Sequence, residues 1–253
     1  MIISASRRTD IPAFYSDWFF KRLEEGYLYV RNPMNPGQVS KILLNQDTVD
    51  CFVFWTKDPG PMMERLSVLD RLGYPYYFQF TLTPYGADVE PGLPHKNELV
   101  KTFRELSARL GPERVIWRYD PVLLSPSYTR EYHFQWFSRL CGSLEGYTHT
   151  CVISFLDIYR KIKGRMEQIQ PRTMTGSHFC RYCYANFSPA QVEANRRMHD
   201  PESPLLCGRL TGEERITVRE MKSAVRPADD GQMRLGFHDA ELMRLTGKPG
   251  RII

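Results

Sequence analysis

Two cysteines, Cys180 and Cys183, stand three apart in the stretch SHFCRYCYANFS. Two thiolates at this spacing can grip one metal ion or one cluster iron, but they leave the coordination sphere short. A zinc site takes two more Cys or His ligands, and the remaining candidates are His178, His199 and Cys207. An iron–sulfur cluster takes three or four thiolates. A C-x3-C-x2-C pattern, which leaves one iron open for S-adenosylmethionine, puts its first cysteine at position 176, where the chain has Gly176. A thioredoxin-like pair sits after an early strand, with small or Pro residues between its cysteines; here the spacer is Arg181-Tyr182 and the pair comes late. Two inert, buried cysteines are the remaining reading.

A second set of chemistry-bearing residues recurs at the ends of apolar runs. These are Ser6-Arg7-Arg8-Thr9-Asp10, Thr56-Lys57-Asp58, Thr81 with Thr83, Arg118 with Asp120, and Ser154 with Asp157. In parallel α/β sheets the carboxyl ends of the strands face the ligand, and charge is tolerated there when solvent or a substrate meets it. Polar residues also mark any strand that emerges into a loop. Five of the six ends carry such residues, with Arg and Asp both recurring among them, which favours one polar site.

The elements that would position these residues alternate in type. Candidate strands are Ile2–Ser6, Leu28–Val30, Cys51–Trp55, Tyr76–Phe80, Val115–Trp117 and Cys151–Phe155. Amphipathic stretches lie between them: YSDWFFKRLEEG, PGQVSKILLNQ, PGPMMERLSVLDRLG, HKNELVKTFRELSARLG, and YTREYHFQWFSRLCGSLEG with Thr129 as N-cap. Several stop at Gly, as helix C-termini prefer. This βαβ alternation predicts a parallel sheet. Later, SPAQVEANRRMHD reads as a helix, and TGEERITVREMKSA as another opened by a Thr211–Glu214 capping box. From Arg226 the composition turns to Asp, Gly and Pro. The expected organisation is one domain over residues 1–224, including the cysteine segment 176–224, followed by a tail over 225–253. No internal repeat or low-complexity tract appears.

Composition bounds the function. The 253 residues are 42% hydrophobic, enough for a large core, yet no run of about 18 apolar residues predicts a membrane span. MIISASRRTD lacks the features of a signal peptide, so a cytoplasmic location is expected. Six scattered cysteines do not make a disulfide scaffold; Cys51, Cys141 and Cys151 read as structural. The net charge of +5 permits an anionic ligand, nucleic acid included, without requiring one. There is no Gly-rich phosphate loop and no G-x-S-x-G, so nucleotide and serine hydrolysis have no support. His133 reads as a half-buried surface residue. Trp18, Trp55, Trp117 and Trp136 read mostly as core, although a base-stacking platform looks the same in sequence.

Eight stretches, IISASRRTDIPAFY, YVRNPMNPGQVSKI, VFWTKDPGPM, FQFTLTPYG, VIWRYDPVLL, ISFLDIYRK, CRYCYANFS and HDPESPLL, together resemble an uncharacterised bacterial domain-of-unknown-function family. The likeness covers roughly residues 1–162 and 179–224. That family's C-x3-C-x2-C-YAN motif is similar to the one in radical S-adenosylmethionine enzymes, in the form of the spore photoproduct lyase branch. This chain departs from it at Gly176. It also has a short interval, Ile162 to Ser177, where the family carries a further strand and a C-G-C element.

The resemblance implies a parallel, incomplete TIM-like (β/α) barrel of about six strands with a helical C-terminal extension. It implies a radical S-adenosylmethionine-like protein with a 4Fe-4S cluster, acting by cleavage to a 5′-deoxyadenosyl radical and hydrogen abstraction on an unknown small-molecule or nucleic-acid substrate. Cys180 and Cys183 would hold cluster irons, with Cys207, His178 or a partner chain completing the set. Arg8, Asp10, Lys57, Arg118 and Asp120 would carry the chemistry, and Arg7, Thr56, Thr81, Ser154, Asp157, Tyr182 and Asn186 would line the cofactor. Two further readings stand beside it. One is a catalytically decayed or non-catalytic barrel that binds an anionic ligand or nucleic acid, or shares zinc between two chains of a homo-oligomer. The other is a metal-free enzyme using Arg8, Asp10, Arg118 and Asp120 for acid–base work.

Overall fold

A five-stranded parallel sheet organises the structure, a computed structural model describing residues 1–6, 9–156, 189–219 and 223–224. Its strands are β1 (Ile2–Ser4), β4 (Cys51–Thr56), β5 (Tyr76–Thr81), β6 (Val115–Val122) and β7 (Cys151–Phe155), side by side in that order. Helices fill the crossovers that parallel pairing requires. These are α1 (Ile11–Phe14) and α2 (Ser16–Glu25) before β4, α3 (Gly60–Met63) and α4 (Leu66–Arg71) before β5, α5 (Lys96–Leu110) before β6, and α6 (Arg130–Leu144) before β7.

Alternation along each strand divides the sheet into two faces. Phe52, Phe54, Tyr76, Phe78, Phe80, Val115, Trp117 and Tyr119 are buried on one face, where the helices pack. Phe19 of α2 meets Phe52 and Phe54 edge-on at 5.3 Å between centroids. Phe103 of α5 lies 5.0 Å from Phe80, and Phe137 of α6 stacks on Trp117 at 5.1 Å. Each such aromatic contributes about 1.5–3 kcal/mol by leaving water. The opposite face carries Trp55, Gln79, Arg118, Asp120 and Ser154. The helix ends obey their local chemistry. Gly26 closes α2 with φ 77°, a left-handed conformation glycine adopts without strain, and the Thr129 side chain accepts from Tyr132 N to open α6.

The sixth expected strand belongs elsewhere. Leu28–Val30 lies in β2 (Tyr27–Arg31), which pairs antiparallel with β3 (Gln38–Leu43) in a separate sheet. The stretch PGQVSKILLNQ, expected to be helical, is therefore a strand. Its Val39 and Ile42 are buried, while Asn32 to Gly37 supply the turn residues of a hairpin. TGEERITVREMKSA is corrected likewise. Ile216, Thr217 and Val218 lie in β8 (Arg215–Val218), which joins β3 in parallel, and β-branched side chains favour that state. Glu214 does accept from Thr211 N at 2.9 Å, half of the expected capping box, but it also binds Arg31 Nη2 at 2.9 Å and so ties the hairpin to the later chain. SPAQVEANRRMHD does form a helix, α7 (Pro189–Arg197). His133 is 6% exposed rather than half-buried, held between Tyr119 Oη and Leu123 O, each at 2.8 Å.

Residues 199–208 are fastened to α2. Trp18 Nε1 donates to Ser203 O at 2.9 Å, and the fully buried Arg22 binds both carboxylate oxygens of Glu25 and the carbonyl of Pro201. The tail expected over 225–253 lies outside the described residues. Among the described residues no helix is long and apolar enough to cross a membrane.

Candidate functional site at the carboxyl ends of the strands

The chain leaves β4 through Thr56 and Lys57, and leaves β1 toward Asp10. Asp10 joins the two exits. Its Oδ1 accepts from Ala13 N at 3.1 Å, opening α1, and its Oδ2 accepts from Lys57 N at 2.7 Å. Burial pushes its carboxyl up to about 6, against hydrogen bonds from Lys57 N, the Thr56 side chain and Ala13 N and against the Lys57 charge. Asp10 thus works as a clasp between two loops, with a carboxyl poised to hold a proton near neutral pH.

The Lys57 side chain reaches a second carboxylate. Its Nζ lies 2.5 Å from Glu90 Oε1, Lys96 Nζ lies 2.7 Å from Glu90 Oε2, and Thr83 Oγ1 donates to Glu90 Oε1 at 2.7 Å. Glu90 is 3% exposed. Desolvation alone would raise its carboxyl, but the Lys57 and Lys96 charges and their hydrogen bonds outweigh it and hold the group down at about 2. This cluster gathers the ends of β4 and β5 and the first residue of α5.

The end of β6 builds the second cluster. Arg118 donates through Nε to Asp120 Oδ2 at 3.0 Å and through Nη2 to the same oxygen, and its Nη1 donates to Gln79 Oε1 at 3.1 Å. Ser154 of β7 donates to Asp120 Oδ1. The Arg118 guanidinium lies over the Trp55 ring, 4.3 Å from its centroid. Thr81, at the end of β5, is the register partner of Arg118. The ladder shifts register between Tyr119 and Val122, across the cis Asp120–Pro121 peptide.

The fold therefore brings Asp10, Thr56 and Lys57 into one cluster and Thr81, Arg118, Asp120 and Ser154 into the other, on neighbouring strand ends. Cys207 stands apart from both. It is half-buried beside Tyr15, burial pushes its thiol up, and the Tyr15 ring packs edge-on against His199 at 4.7 Å. Arg7, Arg8, Asp157, His178, Cys180, Tyr182, Cys183 and Asn186 lie outside the described residues. Among the described residues no group of three His, Cys, Asp or Glu side chains is placed to hold a metal ion.

A sequence profile described as a domain of unknown function (DUF1848) matches residues 2–177, more than two thirds of the chain. The chain belongs to that family. No curated protein and no solved structure matches it. The matched span contains both clusters and every strand of the five-stranded sheet.

Four participants carry weak signals in the sequence or none. Glu90 and Lys96 sit in a loop and at a helix start with nothing to set them apart from other surface charges. Gln79 is one polar residue in an aromatic strand. Trp55 did leave a trace, since it falls out of phase with Phe52 and Phe54 and so belongs to the face the helices do not cover.

Proposed function

We propose that this chain is an iron–sulfur protein of the radical S-adenosylmethionine type, which holds a small charged ligand at the carboxyl edge of its parallel sheet. The observation that carries the reading is the convergence of Asp10, Lys57, Thr81, Arg118, Asp120 and Ser154 at that edge. Leu156, the last described residue before the segment containing Cys180 and Cys183, donates to Val122 O at 2.9 Å just past the end of β7. We read the sheet as the arc of an incomplete TIM-like barrel, whose ligand site lies at this end.

The described residues fit a ligand that carries both a carboxylate and an amine. A guanidinium offers planar donors to a carboxylate, and the neighbouring Asp120 offers an acceptor to an ammonium. Asp120 and Gln79 hold the guanidinium in one plane, and Ser154 fixes Asp120 from the other side, so the pair is oriented before a ligand arrives. Asp10 can hold or release a proton near neutral pH. When bound to a cluster, S-adenosylmethionine supplies hydrogen-atom abstraction; the residues named here bind and orient. Of the assigned cluster ligands, Cys207 is the one described; it is half-buried and stands apart from both clusters. Cys180 and Cys183 would hold cluster irons, with a third ligand from Cys207, His178 or a partner chain.

Anaerobic reconstitution with iron and sulfide tests this reading, with the Cys180→Ser/Cys183→Ser double variant alongside. The expected result is visible charge-transfer absorbance in the parent that is lost in the variant, and an electron spin resonance signal of the reduced parent that shifts on adding S-adenosylmethionine. Absence of a cluster in the parent overturns it. In that case zinc bound at half an equivalent per chain would assign a site shared between two copies, and a metal-free chain would be a ligand-binding sheet alone.

A further inference from the structure

The geometry points to a subsite on the face of the sheet that the described helices do not cover, around Trp55, Arg118 and Ser6, that takes a flat heteroaromatic ring bearing an anionic group. This deepens the ligand-binding half of the function proposed above and rests on it for the placement of the site. It does not rest on the cluster.

Three observations carry it. The first is Trp55 itself. It lies on β4, a strand paired on both sides, yet its side chain points away from the helices and the residue is 38% exposed. Indole is a large apolar group, and leaving it wet on an interior strand forgoes the stabilisation that burial gives its neighbours Phe52 and Phe54. Such a residue is explained when a ligand covers it.

The second is the state of Arg118. Its five N–H groups make three hydrogen bonds, two to Asp120 and one to Gln79. Two N–H groups are left on a guanidinium that is already fixed in plane over the indole and still partly open to solvent. A guanidinium held in this way captures an anion with little further loss of side-chain freedom. Its stacking on Trp55 sets the anion beside the ring platform.

The third is Ser6. Its Oγ is buried and has no hydrogen-bond partner among the described residues. An unpaired buried hydroxyl costs about 1–3 kcal/mol, which a partner would recover. The β1–β4 ladder pairs Ile2 with Cys51 and Ser4 with Val53, and Ala5 N continues it by donating to Val53 O. Carried two residues further, the register sets Ser6 beside Trp55 on the same face. An orphaned hydroxyl, an exposed indole and a fixed guanidinium are what a flat ligand with a polar edge and one anionic substituent requires.

A nucleoside monophosphate and an aromatic carboxylate share this chemistry. Titration calorimetry of the full chain, without iron, separates them by using adenosine monophosphate, adenosine, ribose 5-phosphate and nicotinate. The expected result is that at least one ring-bearing anion binds. Trp55→Ala should then weaken it about tenfold while leaving ribose 5-phosphate within about twofold, and Trp55→Phe should restore most of the loss. Arg118→Gln should weaken every anionic probe about tenfold and leave adenosine unchanged. Binding of adenosine monophosphate alone assigns a nucleotide, and binding of nicotinate alone assigns an aromatic acid. Equal binding of ribose 5-phosphate and adenosine monophosphate by the parent overturns the inference. So does no binding of any probe, or binding unchanged in both variants while their thermal unfolding matches the parent. Because the probes need no iron, failure to reconstitute a cluster leaves these outcomes readable.

Discussion

Two ion-paired clusters lie along the carboxyl edge of one sheet, and their surroundings differ. Glu90 is almost wholly enclosed and each of its carboxylate oxygens meets an ammonium, Lys57 on one and Lys96 on the other. Arg118 and Asp120 are also paired, but they remain partly open to solvent beside an exposed indole. The first arrangement ties three loops together, and removing one member leaves charge stranded inside. The second is anchored from behind and unfinished in front. The difference separates an ion pair that holds the fold from one prepared for a ligand, and it predicts that the fold depends more on the first than on the second.

The largest effect should come from breaking the enclosed cluster. Glu90→Gln keeps the shape but leaves two partly buried ammonium groups without their carboxylate. Losing one partner of a buried pair costs about 3–5 kcal/mol, and partial escape of the lysines to solvent reduces this to about 2–4 kcal/mol here. Urea unfolding monitored by tryptophan fluorescence measures it. A loss below about 0.5 kcal/mol would mean that Glu90 does not hold the loops together.

Next is the pH dependence, in which two carboxyls of the same region pull in opposite directions. Glu90 is held down at about 2, so its contribution is present above the unfolded carboxylate range and is lost as pH falls through that range toward 2, about 3 kcal/mol in all. Asp10 is raised to about 6, so the folded state binds its proton more tightly. Its contribution is fully present below pH about 4 and is lost as pH rises through 6, by a similar amount. The two together place the stability maximum of this pair near pH about 4–5. Asp10→Asn should flatten the decline between pH about 5 and 7, and Glu90→Gln should flatten the decline below about 4. A parent stability that does not fall between pH 5 and 7 would contradict the assignment to Asp10.

The sequence displays one of these clusters much better than the other. Arg118, Asp120, Ser154 and Thr81 end their strands in phase, so period-two alternation and the rule that parallel sheets bind ligands at their carboxyl ends place them together. Glu90 was invisible because its role depends on two lysines brought from β4 and α5 by a loop with no periodic pattern. Among the elements, long amphipathic helices such as α5 and α6 were legible from spacing and caps alone. The stretch QVSKIL was not, because a short half-buried segment with both Val and Leu satisfies helical and strand periods equally, and its state is settled by hairpin pairing with Tyr27–Arg31. β8 was missed for a related reason. The Glu214 carboxylate that mimics a capping box serves Arg31 and the Thr211 and Gly212 amides instead, and against desolvation these donors hold it down at about 2.

Breaking the open cluster should matter less to the fold. Arg118→Gln removes three hydrogen bonds, but Asp120 keeps Ser154 and gains access to water, so the loss should be about 1–2 kcal/mol, below that of Glu90→Gln. The same urea titration measures it. A loss equal to that of Glu90→Gln would erase the distinction between the two clusters.

The smallest effect on stability belongs to Trp55→Ala. For the other sheet aromatics on the helix-covered face, truncation of this kind leaves a cavity and costs about 3–5 kcal/mol. Trp55 gives up its contact with the Arg118 guanidinium, worth about 0.5–1 kcal/mol at a partly exposed site, and part of its own burial, while strand propensity at this position falls slightly. The expected loss is about 1 kcal/mol, against about 3–5 kcal/mol for Phe54→Ala on the adjacent position of the same strand. Neighbouring aromatics on one strand should thus differ severalfold in their weight on the fold, and the ratio can be read from two urea midpoints. Equal losses would mean that the Trp55 face is packed as tightly as the helix-covered one and leaves no room for a ligand.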